Sequence, residues 1–292
     1  MNLAHPMQQF QDWFTQQWVI LWGTKVNPMD YPWLIAPFGN KNGIGEDFIH
    51  QLAAKENLIV QRNLRSQGLI QSIDELNLSE GAWNKLSKQV IDFYENTSDY
   101  QLRLTVKWNP FFKFPGILVN RLFSHRISQL SIPIQNNIHA ESLKSEIITL
   151  VNPTTQSVQY TIWLRMDPVT NRVMYSGIYG TCVLPSGQSC IKAVFPLPYG
   201  NATVIMEPSV GDRGELILTS SGKKIGDAGF YFQLNDSKGN HWTQFIRSFR
   251  DTLVVIASEE VVTAEQTLTL WKCKVVQLGY MIEKKKQTVL NK

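Results

Sequence analysis

The side chains best placed to do chemistry sit in one glycine-punctuated loop, Ser220-Ser221-Gly222-Lys223-Lys224-Ile225-Gly226-Asp227-Ala228-Gly229. Three glycines allow backbone amides to converge on an anion, and Lys223 or Lys224 adds positive charge. Asp227 can orient a ligand or accept a proton. Lys223, Asp227 and His241 therefore form the candidate catalytic group, and Gly222, Lys223 and Lys224 the candidate binding loop. A phosphate or carboxylate head group suits such a loop best. The same composition also describes a plain solvent-exposed connection.

Two further groups bear on function. Cys182 and Cys190 flank Pro185-Ser186-Gly187, where glycine supplies the positive φ of a tight hairpin turn. With Ser186 at the apex, Cys182 faces Cys190 at a separation close to that of a disulfide. No CxxC turn accompanies them, and Lys192 is the one nearby charge able to lower a thiol pKa, so a packed thiol pair is expected. Cys273, between Lys272 and Lys274, is expected to be a plain strand cysteine. The second group is basic. A helix is predicted over 116–130 behind Pro115, with Ile117, Leu122, Phe123 and Ile127 on one face and Arg121, His125 and Arg126 on the other. It is either a buried connection or an entrance helix, Arg121 and Arg126 meeting a ligand's head group and the preceding Trp108 and Phe112 its apolar part.

HExxH, CxxC, GxSxG, GxxxxGKS/T and a strand-GxGxxG-helix unit are all absent, and His5, His50, His125, His139 and His241 lack ligand-like spacing. Neither a cofactor nor a metal is expected. At 292 residues, 43% hydrophobic and 18% charged, the chain can bury a sizeable core. Its fourteen Phe, nine Tyr and nine Trp favour β-rich structure or a large apolar pocket. Lys284, Lys285, Lys286 and Lys292 against Glu283 carry +3 of the net +4, leaving +1 elsewhere, too little for a general nucleic-acid surface. The opening MNLAHPMQQFQDWF lacks a basic region followed by an apolar run, and Trp18 to Trp22 is too short to span a bilayer. The expectation is a cytoplasmic protein without a transmembrane segment, its cysteines reduced.

These groups need elements to hold them. Phe10, Phe14, Trp18 and Leu21 or Trp22 recur at helical spacing. They predict a helix from Met7 to Trp22 whose aromatic face packs on the body, because its polar side holds glutamine rather than Lys or Arg. Helices are also predicted over 46–56 and 79–94, the latter capped by Ser79, with an irregular Pro- and Gly-rich segment over 23–45. From Asp99 the period becomes two, Leu102, Leu104 and Val106 alternating with Arg103, Thr105 and Lys107. Strands follow at 158–166, 173–184, 188–195, 202–207, 215–219, 229–234, 253–257 and 266–282. Asn152-Pro153 and Asp167-Pro168 mark turns between them. The hairpin at Ser186 sets Ile178 against Val194 and Tyr179 against Ala193, apolar on both faces as in a central strand pair. His241 to Arg250 fits helical spacing instead, with Asn240 as cap.

The predicted fold is α+β. An N-terminal helical region, residues 1–97, packs on a large, curled, mostly antiparallel β-sheet, barrel-like or sandwich, formed by residues 98–292 with one embedded amphipathic helix. A curled sheet with an aromatic-lined interior, Tyr175 and Tyr179 among the lining, suits noncatalytic binding of an apolar or amphipathic, lipid-like small molecule. Two alternatives accompany it: an enzyme acting on a similar ligand, and a structural subunit or homo-oligomer that pairs through its apolar strands and aromatic first helix.

Overall fold

From Tyr100 onward inward and outward side chains alternate, and the strands that result curl until the sheet meets itself. The computed structural model describes residues 3–6, 10–40, 44–113, 137–171, 173–259 and 261–285. Helices α1 (Phe10–Trp22), α2 (Glu46–Glu56), α3 (Glu80–Lys85) and α4 (Lys88–Glu95) and the short strands β1 (Thr24–Val26) and β2 (Ile59–Gln61) come first. The sheet then runs through β3 (Tyr100–Trp108), β4 (Asn137–Val151), β5 (Val158–Met166), β6 (Val173–Val183), β7 (Ser189–Leu197) and β8 (Gly200–Val210). It continues with β9 (Leu216–Thr219), β10 (Phe230–Asn235), β11 (His241–Phe245), β12 (Phe249–Ser258), β13 (Val261–Leu270) and β14 (Cys273–Lys284).

Strand order β8-β7-β6-β5-β4-β3-β14-β13-β12-β9 returns to β8 through a β8–β9 pairing, which closes a ten-stranded antiparallel barrel. β10, β11 and β1 branch from β8, and β2 lies on β4. The predicted helix-plus-sheet description is thus met in a barrel-dominated form.

One apolar cluster lines the barrel interior, with Leu102, Leu104, Val204, Leu218, Val262 and Leu278 pointing inward. Two others lie outside it. Ile148, Leu150, Ile162, Leu164 and Ile178 pack beneath Phe48, Ile49 and Leu52 of α2, and Ile205, Cys190 and Tyr231 beneath Trp33 and Leu34 of the irregular segment. Strands β5 to β8 are therefore buried on both faces, which explains their near-continuous apolar sequence. Where nothing covers the barrel the outer face is polar, as at Arg103, Lys107 and Glu265.

Several elements follow the sequence expectation. β5 spans Val158–Met166, α2 spans Glu46–Glu56, and β6 and β7 pair in the expected register, with Ile178 opposite Val194 and Cys182 opposite Cys190. Asn152 and Asp167 fold their turns by accepting backbone N–H groups two and three residues on.

Others are corrected. His241 to Arg250 is not helical: β11 extends the free edge of β10, and Asn240 belongs to their turn, donating to Asp236 from both its amides. The long strand predicted over 266–282 is a hairpin, broken where Trp271 and Lys272 both take positive φ. The helix predicted over 79–94 breaks at Leu86, although Ser79 does cap its first part by accepting from the Ala82 N–H. In α1 the aromatic face turns away from the body, leaving Phe10 73%, Phe14 59% and Trp22 72% exposed. The inward stripe is Gln16, Val19 and Ile20, with the Gln16 amide donating to the Pro198 carbonyl at 2.9 Å. The helix predicted over 116–130, with Arg121 and Arg126, lies outside the described residues.

Leu34 is fully buried against the barrel wall and pins the irregular segment there. Leu34→Ala is expected to lower the unfolding free energy by about 2–5 kcal/mol, measured by urea denaturation. A loss within the range of a surface substitution would show that the segment is not anchored at this point.

Candidate functional site

Within the barrel lies a cavity of about 550 Å³. Leu102, Ile191, Val204, Leu218, Val255 and Leu278 supply apolar walls, α1 contributes Gln16 and Val19, and α4 contributes Phe93 and Tyr94. Polar side chains on this lining form two sets: Asp12, Thr15, Gln16, Asn201 and Gln233 on α1, β8 and β10, and Arg165, Tyr175, Tyr179, Asp251, Gln266 and Tyr280 on β5, β6, β12, β13 and β14.

Arg165 gets there by strand alternation. On β5 the side chains of Ile162, Leu164 and Met166 face α2, so Trp163 and Arg165 face the barrel interior. The Arg165 guanidinium is 6% exposed, lies 4.2 Å from the Trp163 ring centre and 4.4 Å from that of Tyr175, and donates from Nη2 to the Tyr179 hydroxyl at 3.1 Å. Its Nε is buried with no hydrogen-bond partner. No carboxylate among the described residues forms an ion pair with it. Desolvating a cation costs several kcal/mol, and the two ring faces return about 2 kcal/mol each at most, so the charge is held with its bonding capacity incompletely used.

Asp251 is the acid of the set that holds Arg165. It sits on β12, 4% exposed; Oδ2 accepts from the Gln266 amide at 2.6 Å and Oδ1 has no partner. Burial pushes its carboxyl up to about 7, against the smaller opposing effect of Gln266. Gln266 in turn accepts from the Tyr280 hydroxyl at 3.4 Å. Burial also raises the phenols of Tyr175, Tyr179 and Tyr280, keeping them neutral donors.

Tyr175 and Tyr179 are thus the two sequence candidates that line the cavity. Trp108 is buried in the barrel core and Phe112 contacts Phe111 at 5.3 Å; neither belongs to the lining. The glycine loop is closed on itself. The Lys223 and Lys224 N–H groups donate to Asp227 Oδ2 at 2.8 and 3.2 Å, the Gly222 N–H to the Ala228 carbonyl, and the Gly226 N–H to the Tyr231 hydroxyl. The amides expected to cradle an anion are occupied by the loop's own acceptors. A Cβ at Gly222 would stand 2.3 Å from that of Asp227, so glycine is required there for the close approach.

His241 stands apart from this loop. It pairs with Asn235, whereas the loop touches Tyr231, which pairs with Phe245 at the other end of β11. At ~3.3 Å per residue that is roughly 13 Å, so Lys223, Asp227 and His241 do not converge. Cys182 and Cys190 oppose each other as free thiols, their pKa values pushed up by burial to about 11 and about 12. Cys273 is an exposed strand cysteine.

Arg165, Trp163, Asp251, Gln266 and Tyr280 were not foreseen in the sequence. For Arg165 a signal exists: it is a charge in phase with Trp163 on a strand whose opposite face, Tyr160, Ile162, Leu164 and Met166, is apolar. Asp251 follows immediately after a stretch whose spacing imitates a helix.

Fold and site together define a closed antiparallel β-barrel with an apolar interior cavity holding one cation. At uncovered outer positions such as Arg103, Lys107 and Glu265 the wall is charged, unlike the apolar outer band of a barrel set in lipid. No helix among the described residues is long and apolar enough to cross a membrane. A Bacillus subtilis (strain 168) protein named the uncharacterized membrane protein YndJ is 27% identical to the chain over 195 residues, 66% of this chain and 34% of that protein. The chain therefore spans about a third of that relative's length. No protein-family model matches it, and no solved structure matches it.

The raised pKa of Asp251 makes stability depend on pH. Its folded value of about 7 exceeds the usual carboxylate value of about 4, so the folded state binds the extra proton and stability falls as pH rises between those two values. Asp251→Asn removes this dependence. Its unfolding free energy relative to wild type is expected to rise by about 2–4 kcal/mol from pH 4 to pH 8. A difference that stays flat over that range would mark Asp251 as an ordinary ionised carboxylate.

Proposed function

We propose that the protein is a noncatalytic binder of an apolar or amphipathic small molecule carried inside the barrel. The cavity is the observation that supports this. Protein interiors are close-packed, with few voids larger than a water molecule, whereas about 550 Å³ of space remains here between apolar walls. That volume falls within the range of small-molecule sites, which likewise combine apolar walls with a few polar groups. A dry void of this size would forgo packing on the order of 10 kcal/mol at ~24 cal/mol per Å³. A bound apolar molecule restores those contacts.

The enzymatic alternative loses its motivation, because His241 stands roughly 13 Å along the sheet from the loop that holds Lys223 and Asp227. Binding without chemistry needs only the enclosed apolar surface and a group to fix orientation.

Fluorescence titration with the neutral dye Nile red tests the reading. Wild-type protein is expected to bind it saturably at one site. Ala264→Phe, which places a ring into the cavity from β13, is expected to weaken binding by about tenfold or more while far-UV circular dichroism is unchanged. Dye binding that is weak and non-saturable in wild type, or unaffected by this variant, would assign the dye to the outer surface and remove the proposal.

A further inference from the structure

Arg165 is the one cation on the cavity lining among the described residues. It is 6% exposed, and its Nε hydrogen is buried without an acceptor. The aromatic rings of Trp163 and Tyr175 cover its faces, while on the guanidinium edge, a planar fork of donors, Nη2 donates to the Tyr179 hydroxyl, Tyr280 also bonds the group, and Nε is left unused. Such an edge matches a carboxylate, whose two oxygens accept parallel N–H bonds. Tyr175, Tyr179 and Tyr280 stand around the same group, and their neutral hydroxyls can donate to an incoming oxygen.

We propose that Arg165 receives the carboxylate of an amphipathic acid whose hydrocarbon part occupies the barrel cavity. This rests on the reading that the cavity binds a small molecule, and it names the chemical class. Arg165 is the single positive charge of the lining, so a monoanion neutralises that guanidinium, whereas a phosphate dianion would leave one charge uncompensated beside it; the lining's further acid, Asp12 of α1, adds to the disfavour of a second negative charge. Asp251, kept largely neutral below pH 7 by its burial, sets little negative charge against the ligand. The walls at Ile191, Val204, Leu218 and Val255 offer no side-chain donor or acceptor, which suits an alkyl chain.

Displacement of Nile red by dodecanoate and by 1-dodecanol at pH 6.5, in wild type and Arg165→Gln, tests the proposal. In wild type dodecanoate is expected to displace the dye at a concentration at least about tenfold lower than the alcohol. Arg165→Gln is expected to abolish that preference while leaving displacement by the alcohol within about threefold of wild type. Should Arg165→Gln fail to fold, NMR of dodecanoate labelled with 13C at its carboxyl decides on wild type alone. The bound carboxyl is expected to stay ionised at a pH where the free acid is protonated, and one that titrates like the free acid overturns the proposal. Equal displacement by acid and alcohol in wild type also overturns the anchor at Arg165 and leaves the cavity reading standing. If neither ligand displaces the dye and Ala264→Phe leaves dye binding unchanged, the cavity reading itself fails. Tighter binding of dodecyl phosphate than of dodecanoate overturns the carboxylate class.

Discussion

Four residue pairs, Glu207 to Val210 against Thr219 to Leu216, turn this sheet into a barrel. The same edge of β8 serves two strands in succession: Gly200–Val204 pairs with β10, and the remainder with β9. Without the second pairing β8 and β9 would be free edges, and the cavity would be a groove on a curled sheet. The turn between them is correspondingly constrained. Gly214 has φ +78, and a side chain there would meet the Lys85 carbonyl at 2.6 Å. The Gly214 carbonyl in turn accepts from the Ser87 N–H. The helical N-terminal segment thus fastens on the closure itself, and its break between α3 and α4 coincides with that contact.

Closure also fixes which side chains are inside. A strand has one phase, and a shift by one residue would exchange the two faces. On β5 that phase decides whether Arg165 meets the interior or α2. The burial of Thr161–Met166 of β5 on both faces leaves no register in which a charge on that stretch would face solvent. The position of Arg165 therefore follows from pairings elsewhere in the sheet, Ile162 opposite Ile148 and Ile178, and not from its immediate neighbours.

Much of this was legible from the chain. The turn at Ser186 carries proline and glycine in the positions the reversal demands, and β3 declares itself by clean alternation. What remained hidden depends on contacts between distant segments. Trp242, Phe245, Ile246 and Phe249 recur at helical spacing, yet the open edge of β10 supplies backbone partners that outweigh the pattern. The hairpin at Trp271-Lys272 uses positive φ at two residues that carry no such preference, so no glycine or asparagine announces it. In α1 two apolar stripes exist, and the smaller, Val19 and Ile20 with Gln16, faces the barrel because it meets Ala4 and Leu234. Counting aromatic residues selects the wrong one. The glycine loop had the composition of an anion cradle, but composition does not reveal that Asp227 occupies the cradle.

The two arginines of the inner structure make the clearest contrast. Arg62, between β2 and the wall of β4, is half-buried and bound to two carboxylates, those of Glu46 and Glu146. Its charge is answered by the fold, and it ties α2 to the barrel. Arg165 is buried further and, among the described residues, pairs with no carboxylate. Removing one partner from a buried ion pair is strongly destabilising because it strands a charge, and Arg165 resembles the stranded member of such a pair. The ring faces of Trp163 and Tyr175 reduce that cost without using its N–H groups, and the Tyr179 hydroxyl takes only one of them, at Nη2, leaving Nε without an acceptor. An apolar residue of similar volume would pack the same space at no desolvation penalty, so stability alone gives no reason for a guanidinium at this position. On the reading proposed above, the ligand supplies the acceptor that Arg165 lacks and brings its negative charge with it.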